Sequence, residues 1–110
     1  SWTNHTNGRC LVLRYEDMLD NSKKAFRAVE KFLGVSKNPK RLRNAIKNAS
    51  FKQLKAQEKK YGFVEKHENA QSFFRQGRKD QWQQLLSQTQ VQKIVSLNKI
   101  QMERFKYLPR

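Results

Sequence analysis

Cysteine, glycine, proline and long apolar runs are all scarce in this sequence. Of its 110 residues, one is cysteine, four are glycine and two are proline. A single cysteine excludes a disulfide within the chain, and the position of Cys10 in a short apolar run predicts a buried, unreactive thiol. No stretch is long and apolar enough to span a bilayer, and no signal-peptide pattern is present, so the default expectation is a cytoplasmic protein.

Recognisable catalytic and metal-binding patterns are absent as well. His5 and His67 are far apart and belong to no ligand-spaced cluster, so both are predicted to be surface histidines and no metal site is predicted. No glycine-rich loop precedes a helix, and no serine–histidine–aspartate or cysteine–histidine set can be assembled. The sequence therefore contains no residue that can be identified as making or breaking a bond.

What the sequence has in excess is positive charge. It contains 24 lysine and arginine residues against 9 aspartate and glutamate residues, which gives a formal net charge of +15 and a pI of about 10.4. This excess predicts attraction to anions, among them nucleotides, nucleic acid, acidic glycans and anionic membranes. With 36% hydrophobic and 30% charged residues, residues 1–110 are expected to form one small domain with a thin core.

One short apolar run predicts a β-strand near the N-terminus. Cys10 to Tyr15 follow the turn signal Asn7-Gly8, and the length of the run favours a buried strand over a helix. A strand that is apolar on both faces is typical of a parallel sheet. No second strand is evident, so its partners must come from another segment or another chain. Pairing of its exposed edge with a second copy, as a homodimer, is one expectation.

Local signals predict four to five helices in the rest of the chain. Capping residues, a proline at a helix start and glycines at helix ends bound them. The expected elements are a helix capped by Ser22, or by Asp17 or Asp20, and ended by Gly34; a helix opened by Asn38-Pro39; a helix capped by Ser50 and ended by Tyr61-Gly62; a turn of helix within 80–86; and a last helix capped by Thr89. The predicted fold is mainly α with one short strand.

The stretch from Ser72 to Trp82 is the candidate binding segment. It combines aromatic side chains with the positive charges of Arg75, Arg78 and Lys79 and with Gly77, which has no Cβ. Guanidinium groups, backbone N–H groups and an aromatic face suit a phosphate attached to a flat base. A solvated surface turn with anchoring aromatics is the alternative at this point.

Four motifs in a consistent order add a family resemblance. They are Leu11 to Met18, which ends in Tyr-Glu-Asp-Met; Phe32-Leu33-Gly34; Ser50 to Lys55; and Phe74-Arg75-Gln76-Gly77 followed by Trp82. With these motifs the chain resembles the C-terminal part of the sulfotransferase family that uses 3′-phosphoadenosine 5′-phosphosulfate. The resemblance implies that the chain contributes one late strand and several helices to an α/β, P-loop-like fold.

The resemblance also implies a nucleotide-binding role for eight residues. Gln76 replaces a lysine of the family's loop, and Asp80 replaces its second glycine. The implied set is Arg75 and the Gly77 amide at the 3′-phosphate, with Gln76 in the same loop; Tyr15 beside the adenine; and Phe51, Leu54, Ala49 and Phe74 around the base.

The function implied is that of a C-terminal sulfotransferase segment. It supplies the adenosine and 3′-phosphate side of the cofactor site, for sulfuryl transfer to a hydroxyl or amine acceptor. The family's 5′-phosphosulfate loop and catalytic histidine belong to an N-terminal part that these 110 residues do not contain, so the chain is expected to be inactive alone. Two alternatives stay open: a basic helical module that binds nucleic acid or another polyanion, and a truncated scaffold without cofactor binding.

Overall fold

A computed structural model of the chain describes residue 3 and residues 8–110. Six α-helices and no β-strand are present among these residues, so the prediction of a mainly helical protein is confirmed. His5 and Asn7, which figured in the sequence predictions, lie outside the described residues. The helices are α1 (Tyr15–Asp20), α2 (Ser22–Phe32), α3 (Pro39–Asn48), α4 (Phe51–Tyr61), α5 (Trp82–Leu85) and α6 (Gln88–Arg104).

The predicted strand is wrong. Residues 10–14 form no regular element, and the backbone becomes helical at Tyr15, where α1 begins. A strand requires inter-strand hydrogen bonds, and the described part of the chain supplies no second strand to donate or accept them. Glu16 and Asp17 favour a helix here because acidic side chains in a first turn interact well with the helix dipole.

The predicted boundaries of the next three helices are largely confirmed. Gly34 follows the end of α2 with φ +67°, and the N–H of Val35 donates to the carbonyl of Glu30 at 3.0 Å, which is the bond of a Schellman motif. Pro39 is the first residue of α3. The Ser50 hydroxyl caps α4 by accepting from the N–H of Gln53. These signals succeeded because each acts within a few residues of the chain.

Two predicted caps are wrong. Asn21, and not Ser22, Asp17 or Asp20, caps α2, since its side chain accepts from the N–H of Lys24 at 3.1 Å. The Ser22 hydroxyl instead donates to the carbonyl of Met18 at 2.7 Å. For the last helix the cap is Ser87 rather than Thr89, and a reciprocal bond from Gln90 completes a capping box. The Ser-x-x-Gln spacing was a readable signal for that cap.

The contacts divide the chain into two units, Ser1–Gly77 and Arg78–Arg110. In the first unit α1 packs on α2, α2 on α3 and α3 on α4. Its core is thin, as the composition predicts: among the described residues, the buried apolar side chains are Ala25 and Leu42, with 8% and 4% of their surface exposed. An ion pair of 3.1 Å between Arg41 and Glu30 ties α3 to α2.

The second unit consists of α5, α6 and the segments around them. One side of α6 lines an apolar cavity of about 360 Å³ together with Trp82 and Tyr107. Leu97 and Ile100 of the same helix remain 73% and 79% exposed. The prediction of one domain over residues 1–110 stays a prediction.

The described residues include no helix that is long and apolar enough to cross a membrane. Cys10 is exposed, which corrects the prediction of a buried thiol. The reason is the missing strand: without a sheet around it, the apolar run that contains Cys10 has little to pack against.

Candidate functional site

Four phenylalanine rings cluster where α4 meets the segment that follows it. Phe51 begins α4, and the other three rings lie in residues 62–77, here called the aromatic loop. The centroid of Phe74 lies 6.4 Å from that of Phe51 and 5.1 Å from that of Phe63. Phe73 lies 4.6 Å from Phe63 and 5.0 Å from Phe74. These spacings are typical of stabilising aromatic pairs, so the cluster holds the loop against the helix.

A carboxylate on α4 fixes the backbone of the same loop. Glu58 Oε1 accepts from the N–H of Phe73 at 2.6 Å, and its Oε2 accepts from the N–H of Phe74 at 3.0 Å. Hydrogen bonds from these two N–H groups, first Phe73 and then Phe74, hold the pKa of the Glu58 carboxyl below its usual value, with a smaller effect from the charges of Lys66 and Lys55. Both carboxylate oxygens are thus engaged in positioning the loop.

Lys55 makes the third link between helix and loop. Its Nζ donates to the backbone carbonyl of Arg75 at 3.1 Å and lies 5.7 Å from the centre of the Phe51 ring. The N–H of Arg75 also donates to the carbonyl of Phe73 at 3.1 Å, which closes a tight turn. The side chain of Arg75 is exposed. Its guanidinium group is therefore accessible, while Lys55 holds the backbone that carries it.

Gly77 is the last residue of the aromatic loop, and its surroundings leave no room for a side chain. Its φ is +59°, in the left-handed region that favours glycine. A Cβ at this position would stand about 2.5 Å from Cγ and 2.9 Å from Cε2 of the Phe51 ring. The absence of a side chain therefore lets the loop backbone lie directly against α4.

Some of the predicted site residues come together and others do not. Phe51, Phe74 and Gly77 are in contact, and Leu54 is half-buried one turn along α4 from Phe51. Arg75 and Gln76 lie in the same loop with exposed side chains, and Ala49 is the exposed residue at the end of α3, two residues before Phe51.

Tyr15 lies on a different helix from Phe51 and Leu54. It begins α1, and in the described part of the chain α1 packs on α2 and not on α4. Its side chain is 48% exposed. Of the residues predicted around the adenine, Phe51 and Leu54 therefore lie on α4, Phe74 lies in the aromatic loop, Ala49 lies at the end of α3 and Tyr15 lies at the start of α1.

Sequence reasoning gave no role to Glu58 and Phe63, and it named Phe73 and Lys55 only as members of the candidate segment and of a motif, without these contacts. A signal for the α4 residues existed: positions 51, 54, 55 and 58 follow the i, i+3, i+4, i+7 spacing of one helix face, so a carboxylate and an ammonium share a face with the predicted Phe51 and Leu54. Nothing local indicated that this face would bond to backbone groups 15 to 20 positions further on.

The side chains that could ligate a metal ion do not cluster in the described residues. No group of three or more histidine, cysteine, aspartate or glutamate side chains lies close enough together to hold a metal ion there. His67 is exposed, as predicted, and its Nδ1 accepts from the N–H of Asn69 at 3.2 Å.

Comparison with known proteins identifies the family. The family model described as sulfotransferase domain matches residues 1–106, nearly the whole chain. The chain therefore belongs to the sulfotransferase domain family, as its motifs suggested. No curated protein and no solved structure matches the chain.

The second unit has an uncommon backbone conformation. Asp80 stands where the family's motif has its second glycine, and its φ is +59°. Left-handed backbone is uncommon for residues other than glycine, although aspartate tolerates it better than most. Asp80 therefore adopts a conformation that glycine favours.

Proposed function

We propose that this chain supplies the adenosine and 3′-phosphate side of the cofactor site of a sulfotransferase. The observation that carries the proposal is the contact of Gly77 and Phe74 with Phe51. It joins the Ser-Phe segment of α4 to the Phe-Arg-Gln-Gly segment of the aromatic loop, and the family resemblance assigns both segments to one nucleotide. Membership of the sulfotransferase domain family supports the same function.

The residue types suit such a nucleotide. The exposed guanidinium of Arg75 can donate two parallel hydrogen bonds to a phosphate, and the Gly77 N–H can add a third. The rings of Phe51 and Phe74 offer an apolar wall for a purine, with Leu54 and Ala49 beside them. Because the aromatic loop is already held against α4, little ordering would be needed on binding.

The assignment of the remaining residues follows the family pattern. Gln76 would donate a neutral side-chain amide where the family places a lysine charge. Tyr15 would lie beside the adenine. This role requires the start of α1 to lie close to α4 in the complete site. The bound 3′-phosphoadenosine 5′-phosphosulfate would supply the sulfuryl group, and transfer to a hydroxyl or amine acceptor would need groups outside these 110 residues.

Titration calorimetry with adenosine 3′,5′-bisphosphate tests this function. Arg75→Ala should weaken binding by about ten- to a hundredfold, since a charged hydrogen bond to phosphate is lost. Lys47→Ala removes the same charge from the exposed surface of α3 and should leave the affinity unchanged. Equal weakening by both variants would show general charge attraction and count against a nucleotide site.

A substitution that adds a positive charge to the same loop provides a second test. Gln76→Lys restores the family's lysine and adds a positive charge to the same loop, so it should tighten binding of the bisphosphate several-fold. Binding of 5′-AMP, which has no 3′-phosphate, should respond to neither Arg75→Ala nor Gln76→Lys. If the bisphosphate does not bind to the unmodified protein at all, the proposed function is wrong.

A further inference from the structure

One face of α4 holds three consecutive residues of the aromatic loop. Glu58 accepts the N–H groups of Phe73 and Phe74 at 2.6 Å and 3.0 Å. Lys55, about one turn earlier on the same face, donates to the carbonyl of Arg75 at 3.1 Å. The backbone that carries the Arg75 guanidinium is therefore anchored to α4 on both sides of its Cα.

These hydrogen bonds add orientation to the packing that the rings provide. The rings of Phe63, Phe73 and Phe74 have centroids between 4.6 Å and 5.1 Å apart, and burial of apolar surface is non-directional. Hydrogen bonds, in contrast, weaken steeply when donor and acceptor are misaligned. The rings therefore locate the loop on α4, and the carboxylate of Glu58 sets the orientation of its peptide groups.

A further backbone contact passes this orientation on to Arg75. The N–H of Arg75 donates to the carbonyl of Phe73 at 3.1 Å, and the N–H of Phe73 is one of the two groups that Glu58 binds. Gly77, two residues beyond Arg75, lies against the Phe51 ring. Loss of the Glu58 bonds would therefore leave the segment from Arg75 to Gly77 held mainly at its C-terminal end.

This geometry gives Glu58 a role in recognition that needs no contact with the nucleotide. We propose, resting on the proposed function, that Glu58 is a positioning residue for the 3′-phosphate, because it fixes the direction in which Arg75 is presented. The preference for a nucleotide that has a 3′-phosphate over one that lacks it then depends on a carboxylate that acts through backbone N–H groups.

Charge alone predicts the opposite effect of removing this acid. A carboxylate near a phosphate site repels the phosphate, so its loss should strengthen binding. Loss of positioning should weaken binding instead, because the apparent affinity falls with the fraction of molecules in which the loop has the competent orientation. The two explanations differ in sign, so the substitution Glu58→Gln decides between them.

Calorimetric titration of Glu58→Gln with adenosine 3′,5′-bisphosphate and with 5′-AMP measures this role. The bisphosphate should bind about tenfold more weakly, because one acceptor oxygen is left for two N–H groups and fewer molecules hold the loop in place. Binding of 5′-AMP should change by less than about twofold, since the contact between the rings of Phe51 and Phe74 remains. A general loss of folded protein would lower both affinities equally and leave their ratio unchanged.

Two further variants separate position from charge. Glu58→Asp returns two acceptor oxygens on a side chain that is one methylene shorter, so it should recover part of the affinity for the bisphosphate although it also returns the negative charge. Glu68→Gln is the matched control, since it removes the same charge from an exposed position in the aromatic loop. It should strengthen binding of the bisphosphate by at most about twofold.

The outcomes distinguish the positioning role from the nucleotide site itself. Unchanged or tighter binding of the bisphosphate to Glu58→Gln overturns the positioning role, and so does equal weakening of both nucleotides; in either case, binding that still depends on Arg75 preserves the proposed function. If the unmodified protein does not bind the bisphosphate, the proposed function is wrong and the positioning role falls with it. Weakening confined to the bisphosphate, in Glu58→Gln but not in Glu68→Gln, supports both.

Discussion

Two segments of the first unit that carry apolar side chains differ in whether those side chains find partners within the chain. Residues 51–77 combine α4 with the aromatic loop and are held together by ring contacts, the Glu58 carboxylate and Lys55. Residues 10–14 contain the apolar Leu11, Val12 and Leu13, yet these side chains are 36%, 44% and 36% exposed and no strand forms. Apolar sequence alone therefore does not predict packing.

The difference follows from how far apart the interacting groups are. In residues 51–77, the longest link described above joins Phe51 and Gly77, which are 26 positions apart, and α4 supplies its own backbone hydrogen bonds. A strand needs bonds from a separate segment, and those bonds cannot be replaced locally. The comparison predicts that substitutions of the linking residues in 51–77 will have large effects on this chain, whereas substitutions in residues 10–14 will have small ones.

Gly77→Ala should have the largest effect on stability. The new Cβ would collide with the Phe51 ring, and alanine would have to adopt a φ of +59°. Left-handed backbone and overpacking together predict a loss of about 3 kcal/mol in the free energy of unfolding. Urea unfolding followed by circular dichroism measures this loss.

Gly34→Ala is the matched control for that substitution. Gly34 has a similar φ of +67°, but no atom lies within 4 Å of the point that a Cβ would occupy, so alanine there should lose only the backbone cost of about 1–2 kcal/mol. Phe51→Ala should reduce the penalty of Gly77→Ala when the two are combined, because it removes the ring that collides. Equal losses for the two glycines would mean that the loop does not lie against α4.

Glu58→Gln should loosen the aromatic loop with less effect on the rest of the protein. A neutral amide retains one acceptor oxygen for the two N–H groups that the carboxylate binds. Amide exchange at Phe73 and Phe74 should become about tenfold faster, since a charged acceptor is lost. Glu68→Gln, an exposed position in the same loop, should leave both rates unchanged, and equal acceleration by the two variants would contradict the link.

The same carboxylate predicts the direction of a pH effect. The hydrogen bonds from Phe73 and Phe74 lower the pKa of Glu58, so the folded protein binds this proton more weakly than the unfolded chain. The stabilising contribution is complete above the ordinary glutamate pKa and is lost as the pH falls through the lowered value. Protection of the two amides should persist at mildly acidic pH and disappear at lower pH in the unmodified protein, while Glu58→Gln should show no such transition.

The success of sequence reasoning also depended on how far apart the interacting groups lie along the chain. Gly34, Pro39 and Ser50 were interpreted correctly because capping and helix termination act within one turn. The candidate loop and its contact with Phe51 were anticipated through family motifs, which carry tertiary information that local chemistry does not. The links from Glu58 and Lys55 were missed because their acceptors and donors are backbone groups, which leave no trace in the sequence.

Val12→Thr should have the smallest effect, and it tests the other half of the comparison. Threonine is close to valine in shape and in β-propensity, so the substitution changes mainly the apolar surface. With 44% of Val12 exposed and no strand formed, the free energy of unfolding should change by less than about 0.5 kcal/mol. A loss above about 1 kcal/mol would show that residues 10–14 are buried against a partner. Light scattering would then decide whether that partner is a second copy of the chain. If it is, the unmodified protein is a dimer and Val12→Thr promotes its dissociation.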